Sequence, residues 1–409
     1  MVDTASVDGG DIEVLHRLEP VDLAVVRGRE RDVEALHASF ARDVECRLEM
    51  PTEQRSLATD PGTNGSDTAE SLYEYQWDKQ DQGIRDVHES YTRGEGTRVA
   101  VIDGGVAATH PALEHAVDED LSKNFTEDEY GVPGPYAGGH GTHVAGIVAA
   151  SDDGNGRVVG TAPDAEIVDC RVFSPIHDPD QFVFLGDVLA AIVHCVEHDV
   201  DVANLSLGAY LRRREEGVGR FWGRSIQRTT TYATREGVVL THACGNWGGD
   251  LTKNKDYVDT SMSAGGLTVS ATGPVGYMWG NDGLEEPVYR PASYTNYGVS
   301  AVDLAAPGGD SVADDHQSDM VLNCLAEPEF DDDGTYLGAS YEYGYLAGTS
   351  MASPQAAGAA ALIRSVAPGS NANQVKNTLQ RTATVPTEYG KQYYGSGYLD
   401  TLAAVESVR

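Results

Sequence analysis

Lysine is scarce in this 409-residue chain: only six of its 29 basic residues are lysines, against 64 aspartates and glutamates, and the formal net charge is −35. Such a charge excludes nucleic acid and anionic membranes as partners, because both would be repelled. Cysteine is sparse as well. The five, at positions 46, 170, 195, 244 and 324, show no C-x-x-C spacing, which argues against a zinc ribbon or a dithiol redox motif. Buried thiols are the default expectation, with one disulfide among the last four left open. There is no apolar run of eighteen residues, so no helical membrane span is expected. The opening residues, "MVDTASVDGGDIEV", have neither the basic nor the apolar region of a secretory signal. The acids are dispersed, as in "EHAVDED", "NFTEDEYG" and "EPEFDDDG", rather than gathered in a tail. Dispersed acid with little lysine suits concentrated salt, where screening relieves self-repulsion, so a halophilic source is expected. An ordinary acidic secreted protein is the alternative.

What the chain does contain is glycine (46 residues) and 40% hydrophobic residues, the balance of a loop-rich globular α/β protein. Residues 1–50 read as a small α+β unit. Residues 12–27 are extended and broken at Pro20, "ERDVEALHASF" sets Val33, Leu36 and Phe40 on one helical face, and "DVECRLEM" alternates as a strand. This is about half of a ferredoxin-like module. Residues 51–70 lack periodicity, are rich in turn formers and read as an exposed, cleavable linker. From 71 to 409 the pattern changes. Short Val/Ile/Leu-rich runs at 98–103, 166–173, 200–207, 238–244, 267–271 and 302–308 alternate with helical stretches. That alternation predicts a mostly parallel sheet flanked by helices, with functional residues at strand carboxyl ends.

Four polar residues stand at element ends, two of them at strand carboxyl ends and two at helix entrances. Asp103 ends "RVAVID", and Asn246 stands two residues beyond "VVLTHAC". His140 opens the helical "HGTHVAGIVAA", and Ser350 lies in "GTSMASP" at the head of an alanine-rich helix. Capping and turn chemistry could explain each one singly, with Thr349 or Ser350 as an N-cap. The other reading makes Ser350 a nucleophile at a helix N-terminus, where free N–H groups favour developing negative charge.

In order along the chain, "VAVIDGGVAATHP", "GGHGTHVAG", "NLSLG", "ACGNWGG" and "GTSMASP" resemble the subtilisin-like serine proteases, over roughly residues 70–409. The resemblance implies a subtilisin-like fold and a serine endopeptidase acting through an acyl-enzyme. Ser350 would be its nucleophile, His140 the general base and Asp103 the group that orients the imidazole. Asn246 and the Ser350 N–H would hold the oxyanion. Ser206, Leu207 and Gly208 correspond to the segment that pairs with the substrate backbone. His143 is expected to be structural, and His110 to mark a turn. Ser353 and Pro354 are expected in the first turn of the helix. The substrates would be polypeptides, the chain is expected to act as a monomer, and no cofactor is needed for the chemistry.

Calcium stays open. Family members often carry an aspartate where this chain has Ala112, although "SDDGNGRVVG" (151–160) offers oxygen donors. The helix after Ser350 reads "PQAAG", where histidine or valine is commoner in the family. The N-terminal unit resembles half of an inhibitory propeptide, implying a zymogen cut within 51–70. Half a module leaves an unpaired strand edge, so a start upstream of Met1 and an extracellular enzyme are expected, a shortened intracellular peptidase being the alternative. A catalytically silent peptide binder is the alternative of a different class.

Overall fold

A computed structural model describes residues 1–2, 11–36, 38–43, 45–47, 53–56, 70–175, 182–207, 217–253, 265–280, 283–312 and 316–409. Its centre is a seven-stranded, all-parallel sheet. The strands are β5 (Arg98–Asp103), β6 (Lys123–Asn124), β7 (Glu166–Arg171), β9 (Val202–Leu205), β10 (Val239–Ala243), β11 (Leu267–Thr272) and β12 (Leu304–Pro307). All six predicted strands form, within three residues of the expected ends. Their spatial order is β12-β11-β10-β9-β5-β7-β6. From β5 the chain goes first to one side, through β7, and then to the other, through β9. A crevice therefore opens at the carboxyl ends of the strands where the direction of winding reverses.

Both faces of the sheet are covered, as the near-continuous apolar runs require. Val99 and Val101 point to one face, where helices α4 (His140–Ala149) and α7 (Thr349–Val366) lie. Ala100 and Ile102 point to the other, towards α5 (Leu185–Glu197) and α6 (Gly217–Arg235). A long antiparallel hairpin, β13 (Val321–Phe330) and β14 (Tyr336–Ala347), was not anticipated. Its buried stem packs beside α4, and β14 runs directly into α7.

The N-terminal residues depart from expectation. Strands β1 (Glu13–Leu18) and β2 (Leu23–Arg27) do pair, about a 3-10 turn containing Pro20. Helix α1 (Glu30–Glu34) has only five residues, though Val33, Leu36 and Phe40 still pack together. The next strand, β3 (Glu45–Arg47), joins β8 (Phe182–Phe184) rather than the β1–β2 hairpin, so no strand–helix–strand sheet is built. The hairpin instead buries Leu18, Val21, Leu23 and Val25 with the α5–α6 face. Arg228 Nη1 donates to Val21 O at 2.7 Å, and His16 Nε2 meets Asp187 Oδ1 at 2.9 Å. Within 51–70, β4 (Glu53–Ser56) adds to the free edge of β14 in the register Glu53 to Ala347, while residues 57–69 lie outside the described residues.

Candidate active site

Asp103 is the last residue of β5 and is fully buried. Gly104 N donates to its Oδ1 at 2.7 Å, which fixes the carboxylate plane. His140 is the first residue of α4 and presents Nδ1 to Asp103 Oδ1 at 2.9 Å and Oδ2 at 3.0 Å. With Nδ1–H given to a carboxylate, the neutral ring must carry its lone pair on Nε2. That atom is buried and has no protein hydrogen-bond partner among the described residues. Gly141 explains the small residue after the histidine: a Cβ there would sit 2.5 Å from Gly105 O and 3.1 Å from Asp103 Oδ1.

Ser350 is the second residue of α7 and is buried. The N-cap of α7 is Gly348, and neither Thr349 nor Ser350 caps the helix with its side chain, so the capping account of "GTSMASP" is set aside. Thr349 has other work. Its Oγ1 donates to Asn246 Oδ1 at 2.8 Å and accepts from Gly245 N at 3.1 Å, while its own N–H donates to Asn246 Oδ1 at 2.9 Å. Two donors on one oxygen leave no doubt which end of the Asn246 amide is which, and they turn Nδ2 towards the Gly348–Ser350 backbone. Gly348 lies close enough that a Cβ on it would be 3.6 Å from that nitrogen.

Pro354 is the sixth residue of α7, not in its first turn as expected. Lacking an N–H, it cannot bond the carbonyl four residues back, which is that of Ser350. Ser206 Oγ takes over and donates to Ser350 O at 2.8 Å. In return, Ser350 Oγ donates to Ser206 O at 3.4 Å. Beneath them Asn204, buried in β9, gives Nδ2 to Ser206 Oγ at 2.9 Å. Its Oδ1 accepts from Ser353 Oγ at 2.7 Å and Thr241 Oγ1 at 2.9 Å. Asn204 and Thr349 were missed as supporting residues. The signal for Asn204 was a polar side chain in the middle of an apolar strand, since a buried amide must find partners.

The structure thus brings Asp103 and His140 into contact and binds Ser206 to Ser350 and Asn246 to Thr349. Leu207 is buried on the α5–α6 face, and Gly208 lies outside the described residues. His143 sets its Nε2 3.2 Å from both Val321 O and Gly344 O, and burial pushes its pKa down to about 3, so it is a neutral tie to the hairpin. His110 spans Glu342 O and Ala112 N, and burial lowers its pKa. Neither is a second base. Cys170, Cys195 and Cys324 are free thiols and buried, and Cys244 is buried with its Sγ 3.3 Å from Asn296 O.

The 151–160 loop does not fit a calcium ion. Its carboxylates are already occupied by arginines: Asp152 Oδ2 accepts from Ser71 Oγ at 2.8 Å and Arg85 Nη2 at 2.5 Å, and Asp153 Oδ2 accepts from Arg93 Nη2 at 2.8 Å. Burial pushes the Asp152 carboxyl up, but Ser71 and Arg85 outweigh this and hold it below its usual value. Among the described residues, no three His, Cys, Asp or Glu side chains gather as metal donors.

Comparison with known proteins agrees with this geometry. The model of the subtilase family matches residues 94–398. The thermophilic serine proteinase of Bacillus sp. (strain AK1) is 29% identical over 315 residues, covering 77% of this chain and 63% of that protein. Subtilisin DY of Bacillus licheniformis is 30% identical over 315 residues, covering 77% and 92%. The solved structure of the epidermin leader peptide processing serine protease from Staphylococcus aureus covers 97% of this chain and 93% of its own, with TM-score 0.72 and 22% identity, a likeness of fold. With three quarters of its length matched, an Asp–His contact at the end of β5 and a serine at the head of α7, the chain belongs to the subtilase family of subtilisin-like serine proteases.

Proposed function

We propose that this subtilase is an active serine endopeptidase in which Asp103, His140 and Ser350 form the catalytic triad. The observation that carries this is the Asp103–His140 contact, which leaves a basic Nε2 buried and without a protein partner. In this mechanism His140 Nε2 takes the Ser350 proton as Oγ attacks the peptide carbonyl. The hydroxyl leaves Ser206 O, a long contact that costs little to break. Asp103 stabilises the imidazolium that forms, and His140 then hands the proton to the leaving amine. The tetrahedral oxyanion is received by Asn246 Nδ2 and the Ser350 N–H, which has no acceptor within the helix. Water reverses the sequence to release the acyl group. The backbone of residues 206–208 pairs with the polypeptide substrate.

The enzyme is made as a zymogen and works outside the cell at high salt. The acidic surface with its six lysines supports the salt adaptation. The zymogen is supported by β4, which adds to β14 within a few residues of Ser350 and so brings the N-terminal segment beside the site. Peptide cleavage in molar salt by wild type and Ser350→Ala, with intact mass recorded on both, tests the proposal. Wild type should shed an N-terminal fragment ending between residues 51 and 70 and turn over substrate, while the variant stays whole and inert. A Ser350→Ala protein that still cuts itself would remove Ser350 from the mechanism.

A further inference from the structure

Lys79 lies outside the Asp103–His140–Ser350 chemistry, yet it touches both helices that carry it. It sits on α2 (Trp77–Asp81) and is 0% exposed. Its Nζ donates to Ile147 O at 3.0 Å, Thr161 Oγ1 at 2.9 Å and Gln355 Oε1 at 2.6 Å. Three ammonium protons meet three acceptors, the full complement of a charged lysine. Asp78 Oδ2 stands 3.4 Å from Nζ and accepts from Gln355 Nε2 at 2.7 Å, so one amide bridges the cation and the anion. Gln355 is the glutamine of "PQAAG", and here it has a partner on each end of its amide.

A fully enclosed ion pair is a poor source of stability, because apolar residues of similar size do as well without the desolvation. Geometry is what it supplies. Ile147 is in the last turn of α4, where a cation complements the helix dipole, and its carbonyl also accepts from Thr161 N at 2.9 Å. Ile147 is seven residues on from His140 and Gln355 five on from Ser350. At 1.5 Å per residue, the clamp lies about 10 Å along α4 and about 8 Å along α7 from the two groups. Gly358 admits the same contact closely: a Cβ there would be 2.5 Å from Thr161 Cβ. The other ionisable groups that feel the charge are His143 on α4 and His88 on α3 (Ile84–Ser90), held neutral with pKa values of about 3 and about 4 by burial.

We propose that Lys79 is a positioning residue for the reaction: through Ile147 and Gln355 it fixes α4 against α7 and so holds His140 in register with Ser350. This inference rests on the function proposed above.

The test uses the full-length protein and the variants Lys79→Met, Gln355→Leu, Lys79→Met with Gln355→Leu, and Thr161→Val, all assayed on one peptide amide. Active sites are counted with a fluorophosphonate, so that kcat refers to folded, reactive enzyme. A displacement of about 1 Å at the reacting atoms costs on the order of 100-fold, so Lys79→Met and Gln355→Leu should each lower kcat by about that factor with KM within two-fold. The double variant should be no worse than either single one, because both break the same clamp. Thr161→Val, which removes one acceptor of three, should fall between them and wild type. Unchanged kcat per titrated site together with a lower melting temperature would reduce Lys79 to packing and overturn the inference. Should Lys79→Met not fold, Gln355→Leu and Thr161→Val decide the matter by the same readout. A wild type that neither reacts with the fluorophosphonate nor cleaves would count against the proposed function, whereas an active wild type matched by its variants counts against Lys79 alone.

Discussion

Replacing Thr349 by valine keeps the shape of the side chain and removes one hydroxyl, and the structure says what that hydroxyl holds. It donates to Asn246 Oδ1 at 2.8 Å and accepts from Gly245 N at 3.1 Å. After the change Asn246 Oδ1 keeps the Thr349 backbone N–H at 2.9 Å and loses the other of the two bonds Thr349 gives it. A net intramolecular hydrogen bond is worth about 1 kcal/mol, which sets the expected loss of alignment at about five-fold in kcat. Removing the donor itself, as in Asn246→Ala, should cost about 100- to 1,000-fold, the range known for subtilisin's own oxyanion asparagine. Separately, Gly245 N–H is left buried without its acceptor, a penalty of about 1–3 kcal/mol that appears in the melting temperature. Steady-state kinetics on titrated enzyme separate the two effects, since KM should stay within two-fold in Thr349→Val. If kcat is unchanged, or if KM rises while kcat holds, then the Asn246 amide is not being aimed by Thr349 and the argument from its hydrogen bonds is wrong.

Two further outcomes follow from buried charge. His242, in β10, has neither ring nitrogen paired among the described residues, and burial pushes its pKa down to about 4 from 6.5. It stays neutral in the folded state while the unfolded chain protonates below pH 6.5, so its contribution is intact above 6.5 and is lost as pH falls towards 4. In a Ser350→Ala background, His242→Leu should therefore gain about 2 kcal/mol on its parent between pH 7 and pH 5 in urea unfolding; parallel pH dependences would refute this. The arginine-paired carboxylates of the 151–160 loop predict that Asp152→Asn leaves the response of the melting temperature to a chelator within about 1 °C of that of wild type. A drop of about 10 °C in wild type that calcium restores and that Asp152→Asn abolishes would place a cation where the structure has Arg85 and Arg93.

The sequence carried the sheet because its strands are buried on both sides and spell out near-continuous apolar runs, and a parallel sheet then dictates where the polar ends gather. Asp103 and Asn246 stood out because an apolar run stops beside each, and His140 and Ser350 because a helical run starts at each. Chemistry that depends on residues distant along the chain was not legible. Thr349 looked like a cap because capping is the local use of a threonine before a helix, and only the approach of Gly245 and Asn246 gives its hydroxyl another use. Nothing local marks Lys79, whose partners Ile147, Thr161 and Gln355 lie 68, 82 and 276 residues away. The β13–β14 hairpin hid because its outer half, "AEPEF" and "YLGASY", mixes charged, small and aromatic residues, a pattern as natural to an exposed loop as to a strand. The N-terminal unit failed differently. Period and turn chemistry located Glu13–Leu18, Leu23–Arg27 and Val33, but pairing partners are chosen by the available edges, and β3 found its edge on Phe182–Phe184. A strand is a local property, and its neighbour is not. The same reasoning separates the two helices of the site: His140 and Ser350 are each placed by the end of an element, while the distance between them is set by what lies between α4 and α7. Here what lies between them is Lys79, held by Ile147 O on α4 and Gln355 Oε1 on α7.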